Sequence, residues 1–345
     1  MKKLTHIQKL NINSFRGIQN LKLENLANIN ILLGKNNSGK TSILEAISVL
    51  EYPSEIGNYI KATSKRDTFG SSKLSYYSSF INTFNKNNDN QEMKIDINAL
   101  IKNKKIDFRI FGEEVEVLED PHYVTTAFEG ILKFNNKDKK ISIDENTKAL
   151  KINPKDSFKT TNIVHISSFD YMLKDLTNNV IKSGNKEELI NIIRVFDKDI
   201  IGLEMIGEKE KIVTYIQNQY KGLMPLSTYG DGLRKVLLMA SAVVQAKDGV
   251  LLIDEVETGI HYSALVEIFR WFIKVCKKFN VQVFMTSHSI EVVDAIIESI
   301  DDSDSLKESL RVITLKKNEN SDIKVRILDG FEVYKSREEY NLELR

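Results

Sequence analysis

Gly34-Lys35-Asn36-Asn37-Ser38-Gly39-Lys40-Thr41 reads G-x-x-x-x-G-K-T, with Ser42 next in the chain. Glycines at those positions let the backbone wrap closely around phosphate, and successive N–H groups at a helix start favour negative charge. In such a phosphate loop Lys40 reaches the β- and γ-phosphates and the Thr41 hydroxyl ligates Mg²⁺. A second cluster, Val250-Leu251-Leu252-Ile253-Asp254-Glu255, is an apolar run ending in two carboxylates. Asp254 is placed to hold Mg²⁺ and Glu255 to orient and polarise an attacking water. Alone it would be no more than a buried strand ending in an acidic turn; downstream of a phosphate loop it gains its Walker B meaning. The third cluster, Phe284-Met285-Thr286-Ser287-His288-Ser289, puts a histidine just past another apolar run, within reach of a γ-phosphate or the water. The fourth, Leu226-Ser227-Thr228-Tyr229-Gly230-Asp231-Gly232-Leu233-Arg234-Lys235, opens a helix with small residues and glycines. It is either a second anion site or a plain capped helix start. The catalytic candidates are therefore Lys40, Glu255 and His288, and the metal candidates Thr41 and Asp254.

Those residues need a scaffold, and the hydrophobic pattern supplies one. Ile29 to Leu33 reads as a buried strand before the loop, and Ile43, Ile47 and Leu50 share a helical face after it. After residue 225 the pattern alternates: helix at about 231–246, strand 249–253, helix about 262–279, strand 281–286, helix about 289–299. Residues 4–33 read as strands around a tight turn at Arg16-Gly17. Residues 53–90 read as a polar stretch, mostly loop with some helix. From about 91 to 152 the period becomes two, with Ile95 and Ile97, Ile106, Phe108 and Ile110, and Ile141 and Ile143, which reads as antiparallel hairpins. A short strand at 163–167, an amphipathic helix marked by Leu189, Ile192, Ile193 and Phe196, and a hairpin around Gly207-Glu208 follow. The chain closes with a strand pair at 311–315 and 323–328 and a polar tail; Asp301 to Asp304 reads as a solvated acidic loop. No repeat of 20–50 residues is found.

Composition narrows the partners. The chain is 41% hydrophobic and 28% charged with net charge +1, a globular balance that gives no global case for nucleic acid. Local basic groups exist: Lys102, Lys104 and Lys105, then Lys137, Lys139 and Lys140, are expected at hairpin turns, where solubility is the simpler reading and DNA the alternative. The single cysteine, Cys276, lies on an apolar helical pattern and fits a core role in a reducing, cytoplasmic setting. The N-terminal lysines lack an apolar run after them, and Val236 to Val244 is too short to span a bilayer, so neither a signal peptide nor membrane insertion is expected.

Together the motifs resemble the ATP-binding-cassette ATPase heads. Within that class they resemble the stand-alone ATPases related to the overcoming-lysogenization-defect proteins and, more distantly, the heads of structural-maintenance-of-chromosomes (SMC) and double-strand-break-repair ATPases. The residues carrying the resemblance are Asn13-Ser14-Phe15-Arg16-Gly17, the phosphate loop, Thr228 to Gly232, Asp254 to Ser263, and Thr286 to Ser289. The resemblance implies an α/β fold: a P-loop NTPase head of the ABC-ATPase type, with an N-terminal antiparallel β subdomain and a β-hairpin/helical insertion. Residues 1–345 would be one head, with 1–52 and 216–345 as nucleotide-binding core and 53–215 as the inserted lobe.

It also implies a mechanism in which ATP, with Mg²⁺, is sandwiched between two heads. One copy supplies the phosphate loop, Walker B and His288, and the other supplies its signature, Ser227, Thr228, Gly230, Asp231 and Gly232, to the γ-phosphate. Arg16 resembles the family's arginine that leans on the nucleotide. The signature departs from Ser-Gly-Gly-Gln, so which hydroxyl meets the γ-phosphate stays open. The glutamine that touches Mg²⁺ in the family has no match at Ser168-Phe169-Asp170. The expected function is an ATPase that forms a homodimer or higher homo-oligomer on ATP and signals to a protein effector, a nuclease or toxin, in bacterial anti-phage or mobile-DNA defence. The alternative is a DNA-associated ATPase, or a scaffold clamped by ATP with little turnover. A built-in nuclease is not expected, because only about 50 residues follow His288. A transporter subunit fits the Asn13 to Gly17 segment poorly, and no heptad run suggests a coiled-coil arm.

Overall fold

The structure, a computed structural model, describes residues 5–64, 74–85, 93–120, 123–135, 137–147, 157–168, 170, 184–194, 197–208, 211–300, 308–318 and 323–340. Strands β1 (Ile7–Phe15) and β2 (Ile18–Leu23) form a hairpin whose turn holds Arg16 at φ 52°. Strand β3 (Ile29–Gly34) runs into the phosphate loop and helix α1 (Lys40–Val49). Helices α2 (Ile56–Ser64) and α3 (Tyr76–Ile81) occupy the stretch that reads as mostly loop. Few residues anchor them, but they are large: Tyr59 and Phe80 meet edge-on at 6.5 Å, and Phe80 meets Phe84 and Phe128 at 5.2 and 5.3 Å.

The hairpin-patterned region forms β4 (Met93–Ile101), β5 (Lys104–Asp120), β6 (Tyr123–Phe134) and β7 (Lys137–Asp144). These join β1 and β2 in one antiparallel six-stranded sheet, ordered β2-β1-β4-β5-β6-β7. Lys102 sits in the β4–β5 turn as expected, whereas Lys137, Lys139 and Lys140 lie on β7 itself, not in a turn. The alternation places Ile95, Ile97, Ile106, Phe108, Ile110, Ile141 and Ile143 inward, all buried, as period two requires of a sheet covered on one face.

Next come β8 (Ile163–Ile166), helix α4 (Lys186–Ile193), and a three-stranded sheet of β9 (Ile200–Glu208), β10 (Lys211–Asn218) and β11 (Gly222–Pro225). Phe196 and Phe169 lie outside the described residues, as does the acidic run 301–304. Helix α5 (Asp231–Gln245), strand β12 (Val250–Ile253), helix α6 (Leu265–Phe279), strand β13 (Gln282–Ser287), helix α7 (Ile290–Glu298), and strands β14 (Leu310–Lys317) and β15 (Ile323–Asp329) follow. The second six-stranded sheet is ordered β15-β14-β3-β13-β12-β8, with β14, β3, β13, β12 and β8 mutually parallel and β15 antiparallel at one edge. Strand β8, from the middle of the chain, thus supplies the other edge.

Each central strand of this sheet is buried on both faces, which is why β12 and β13 read as unbroken apolar runs. Leu251 and Ile253 face one core with α5, α6 and α7; Val250 and Leu252 face the other, shared with α1 and the antiparallel sheet. Gln282 ties the two sheets: its side chain accepts the Ile7 N–H at 2.7 Å and donates to the carbonyls of Ile7 and Ala27 at 2.9 and 2.8 Å.

The segment after the last strand pair, which reads only as a polar tail, carries helix α8 (Gly330–Tyr340). Asp329 and Glu332 cap each other's N–H groups at 2.9 and 2.8 Å, Val333 is buried, and the Arg337 guanidinium grips Asp294 of α7 with two bonds of 2.8 and 2.7 Å.

Candidate functional site

Strand β3 ends where the chain must turn sharply to enter α1, and the geometry of that turn selects its residues. Asn37 and Gly39 have φ of 61° and 94°, a region that favours Asn and Gly. A Cβ on Gly34 would lie 2.7 Å from the Leu315 carbonyl, so no side chain fits there. Helix α1 starts at Gly39 with no side-chain cap, which leaves its first N–H groups available to an anion. Lys40 folds back over the turn. Its Nζ donates to the carbonyls of Gly34 and Lys35 at 2.7 and 3.0 Å and lies 3.4 Å from His288 Nδ1. Burial lowers the Lys40 ammonium below the usual lysine range, and Asp254, Glu255 and Glu257 oppose that shift.

Because β13 lies beside β3 and β12 beside β13, all parallel, their carboxyl ends open beside the loop. There the Thr41 hydroxyl lies 3.2 and 3.1 Å from the two Asp254 oxygens. Thr286 donates its hydroxyl to Asp254 Oδ1 at 2.6 Å and accepts the Glu255 N–H at 2.8 Å. Glu255 itself adopts φ 49°, a conformation that an acidic residue keeps only when its surroundings impose it. Its Oε1 lies 3.8 Å from His288 Nε2 and its Oε2 accepts the Thr258 hydroxyl at 3.3 Å. Glu257 accepts the backbone N–H of His288 at 2.9 Å and the Ser287 hydroxyl at 3.0 Å, fixing the strand end that carries the histidine.

Lys40, Thr41, Asp254, Glu255 and His288 line one cleft of about 1080 Å³, together with Gly17, Ile18, Asn36, Asn37, Ser38, Gly39, Ser42, Ser167, Ser168, Lys317 and Ile323. The donors suit a nucleotide with a hard divalent cation: an uncapped helix start and an ammonium for phosphate, a hydroxyl and a carboxylate converging for Mg²⁺. Gly34 and Lys35 contribute their carbonyls to Lys40 and do not line the cleft. Arg16 does not line it either; its guanidinium pairs with Glu45 of α1, a carboxylate that is 1% exposed. Ser168 lines the cleft where the family glutamine would be expected, and Asp170 is turned inward to accept the Ser167 N–H at 2.9 Å.

The signature residues lie outside the cleft wall of their own copy. Ser227, Thr228, Gly230 and Asp231 are exposed, Gly232 is partly covered, and α5 starts at Gly230 without a side-chain cap. Thr228 donates to the Pro225 carbonyl at 2.7 Å and Asp231 pairs with Arg234 at 3.4 Å.

Sequence reasoning gave no role in hydrolysis to Thr286, Glu257, Ser167, Lys317, Ile323 or Lys235. The first two sit within or beside quoted motifs, two positions before His288 and after Glu255. Lys317 and Ile323 flank the last hairpin and come to the cleft only through the parallel pairing of β14 with β3. Lys235 is 0% exposed, and burial pushes its ammonium down to about 8 against the pull of Glu257, Glu255, Asp254 and Asp170. Among the described residues no helix is long and apolar enough to cross a membrane.

An “ATP/GTP phosphatase” of Helicobacter pylori is 26% identical over 341 residues, covering 86% of this chain and 89% of that one. The DNA replication and repair protein RecF of Actinobacillus pleuropneumoniae is 47% identical over 58 residues, 16% of each chain. The Smc head domain with an extended coiled coil, bound to the C-terminal domain of ScpA derived from Pyrococcus furiosus, superposes with a TM-score of 0.54 at 13% identity, covering 98% of this chain and 100% of that one. The fold is thus that of an SMC-type, ABC-ATPase-like head in the P-loop NTPase superfamily. A family of “Protein of unknown function (DUF2813)” matches residues 5–104. The family described as “AAA domain, putative AbiEii toxin, Type IV TA system” matches residues 61–294, the larger part of the chain, and the chain belongs to that AAA-domain family.

Proposed function

We propose that this chain hydrolyses ATP to ADP and phosphate in a cleft completed by a second copy, and that the ATP-linked homodimer signals to a protein effector. The observation that carries the reading is the convergence of Lys40, Thr41, Asp254, Glu255 and His288 on one cleft while the exposed, uncapped start of α5 lies outside it. The loop N–H groups and Lys40 bind the phosphates, and Thr41 and Asp254 hold the metal. A bound Mg²⁺ would supply charge neutralisation at the leaving phosphates. Glu255 accepts a proton from the attacking water while Thr286 fixes its backbone, and His288 faces both the water and Lys40. The start of α5, with Ser227, Thr228, Gly230, Asp231 and Gly232, offers its free N–H groups to the γ-phosphate held by the other copy.

The name of the Helicobacter pylori relative supports nucleotide hydrolysis, and the toxin–antitoxin family description supports a role in defence against phage or mobile DNA, with a nuclease or toxin as effector. The test is light scattering with chromatography on Glu255→Gln, with and without Mg-ATP, beside steady-state hydrolysis by the wild type and Lys40→Ala. The expected outcome is that Lys40→Ala loses nucleotide binding and that Glu255→Gln binds ATP, does not turn it over and shifts to a dimer. A Glu255→Gln protein that hydrolyses ATP at the wild-type rate overturns the assignment of Glu255.

A further inference from the structure

Lys235, on the second turn of α5, is fully buried. A buried ammonium is costly unless charge and hydrogen bonds compensate it. Here one short segment, 254–257, supplies three of the four carboxylates that act on it, with Asp170 as the fourth. Lys235 Nζ lies 3.5 Å from the Glu255 carbonyl oxygen, and Glu257 and Glu255 lead the carboxylates that act on it. The backbone of Glu255 is held at both ends at the φ of 49° described above, its N–H by Thr286 and its carbonyl by the Thr258 N–H at 3.1 Å, with Lys235 as a second, longer donor. Glu257 binds Ser287 and the His288 N–H through Oε1, its Oε2 is buried with no hydrogen bond, and the buried ammonium of Lys235, with Lys40 on the other side, offsets the charge. The same helix touches the same segment again at its start: a Cβ on Gly232 would meet the Gly259 carbonyl at 3.6 Å.

We infer that Lys235 is a positioning residue that couples the exposed start of α5 to the hydrolytic groups of its own copy, holding Glu255 through its carbonyl and His288 through Glu257. The inference rests on the proposed ATPase reading of the cleft. When the helix start engages the nucleotide of a second copy, the displacement reaches Lys235 one turn later, and from there the carboxylate that activates water in this copy. The two sites of the dimer then fire in a linked manner, since each is set by occupation of the other.

The experiment compares the full-length wild type, Lys235→Met, Glu257→Gln and the double variant. Glu257→Gln keeps an acceptor oxygen for Ser287 and His288 and removes the charge. The readouts are kcat, KM and affinity for a fluorescent ATP analogue. Lys235→Met is expected to lower kcat about ten-fold or more with KM and analogue affinity within about two-fold, a split that general loosening of the fold would not give. The double variant is expected to be no slower than about three-fold below Glu257→Gln, because groups that act as a unit do not add. A Lys235→Met kcat within two-fold of wild type overturns the inference, as does a double variant ten-fold or more below Glu257→Gln. If Lys235→Met fails to bind the analogue because it strands the Glu257 charge, the double variant, neutral at both positions, decides alone. A wild type without ATPase activity defeats the cleft reading instead, and is seen before any variant is compared.

Discussion

Lys40 and His288, 248 residues apart in the chain, stand 3.4 Å from each other through Nζ and Nδ1. An ammonium has only donors, and two of its three hydrogens are directed at the Gly34 and Lys35 carbonyls. The third faces His288, so Nδ1 accepts and the ring proton sits on Nε2, toward Glu255. Lys40 thus bridges the phosphate loop and the histidine that the next sheet strand delivers. Ring-nitrogen NMR of the ¹⁵N-histidine protein without nucleotide is expected to show His288 as the neutral Nε2–H tautomer. A non-hydrolysable Mg-ATP analogue, by drawing Lys40 to phosphate, is expected to change the Nδ1 shift; an unchanged shift on saturation would contradict this arrangement.

Thr286 gives a sharper mutational prediction. Its hydroxyl, fully buried, serves both Asp254 and Glu255. Thr286→Val keeps the shape and leaves a buried carboxylate and a buried N–H each short of a partner, which costs about 1–3 kcal/mol of stability. Hydrolysis is expected to fall about ten-fold or more in kcat, with ATP affinity retained. Chemical denaturation and steady-state kinetics on the same preparation check both halves.

Two glycines of the cleft are expected to behave oppositely. Gly39 has φ 94° and a Cβ there would meet Ile323 Cδ1 at 2.9 Å, so Gly39→Ala should lose about 1–3 kcal/mol and weaken nucleotide binding. Gly17 has open space around it and no left-handed φ, so Gly17→Ala should change stability by no more than about 0.5 kcal/mol. Equal effects at the two positions would show that the turn does not impose its geometry.

Lys235 also predicts a pH dependence. Its folded-state value, about 8, lies below that of an unfolded lysine. Between about pH 8 and pH 10.5 the unfolded chain therefore binds more protons than the folded one, and stability from this group rises with pH. Below pH 8 both states carry the proton and the contribution is flat. Melting temperatures of wild type and Lys235→Met, measured without nucleotide from pH 7 to 10, should diverge above pH 8 with the wild type gaining. Parallel curves would show that the lysine is not desolvated in solution.

The sequence makes the phosphate loop, Asp254, Glu255 and His288 legible because each requires a residue type at the end of an apolar run, and such runs are local. Lys235 is not legible: a lysine on an amphipathic helix reads as solvated, and only the packing of α5 over the Glu255 segment buries it. The helices at 56–64 and 76–81 were obscured because a few aromatics among many polar residues show little periodicity. The terminal helix had a readable signal in Asp329-Gly330-Phe331-Glu332, a capping pair that the surrounding polarity masked.

Gln282 stitches the start of β13 to β1 and to the carbonyl of Ala27, spanning 275 and 255 residues of sequence. Neither sheet can leave the other without stranding that buried amide, and the core under α1 is drawn from both. The antiparallel sheet and the nucleotide-holding sheet therefore share one cooperative unit: a calorimeter should record a single transition rather than two, and the N-terminal strands cannot be excised as an independent folding module.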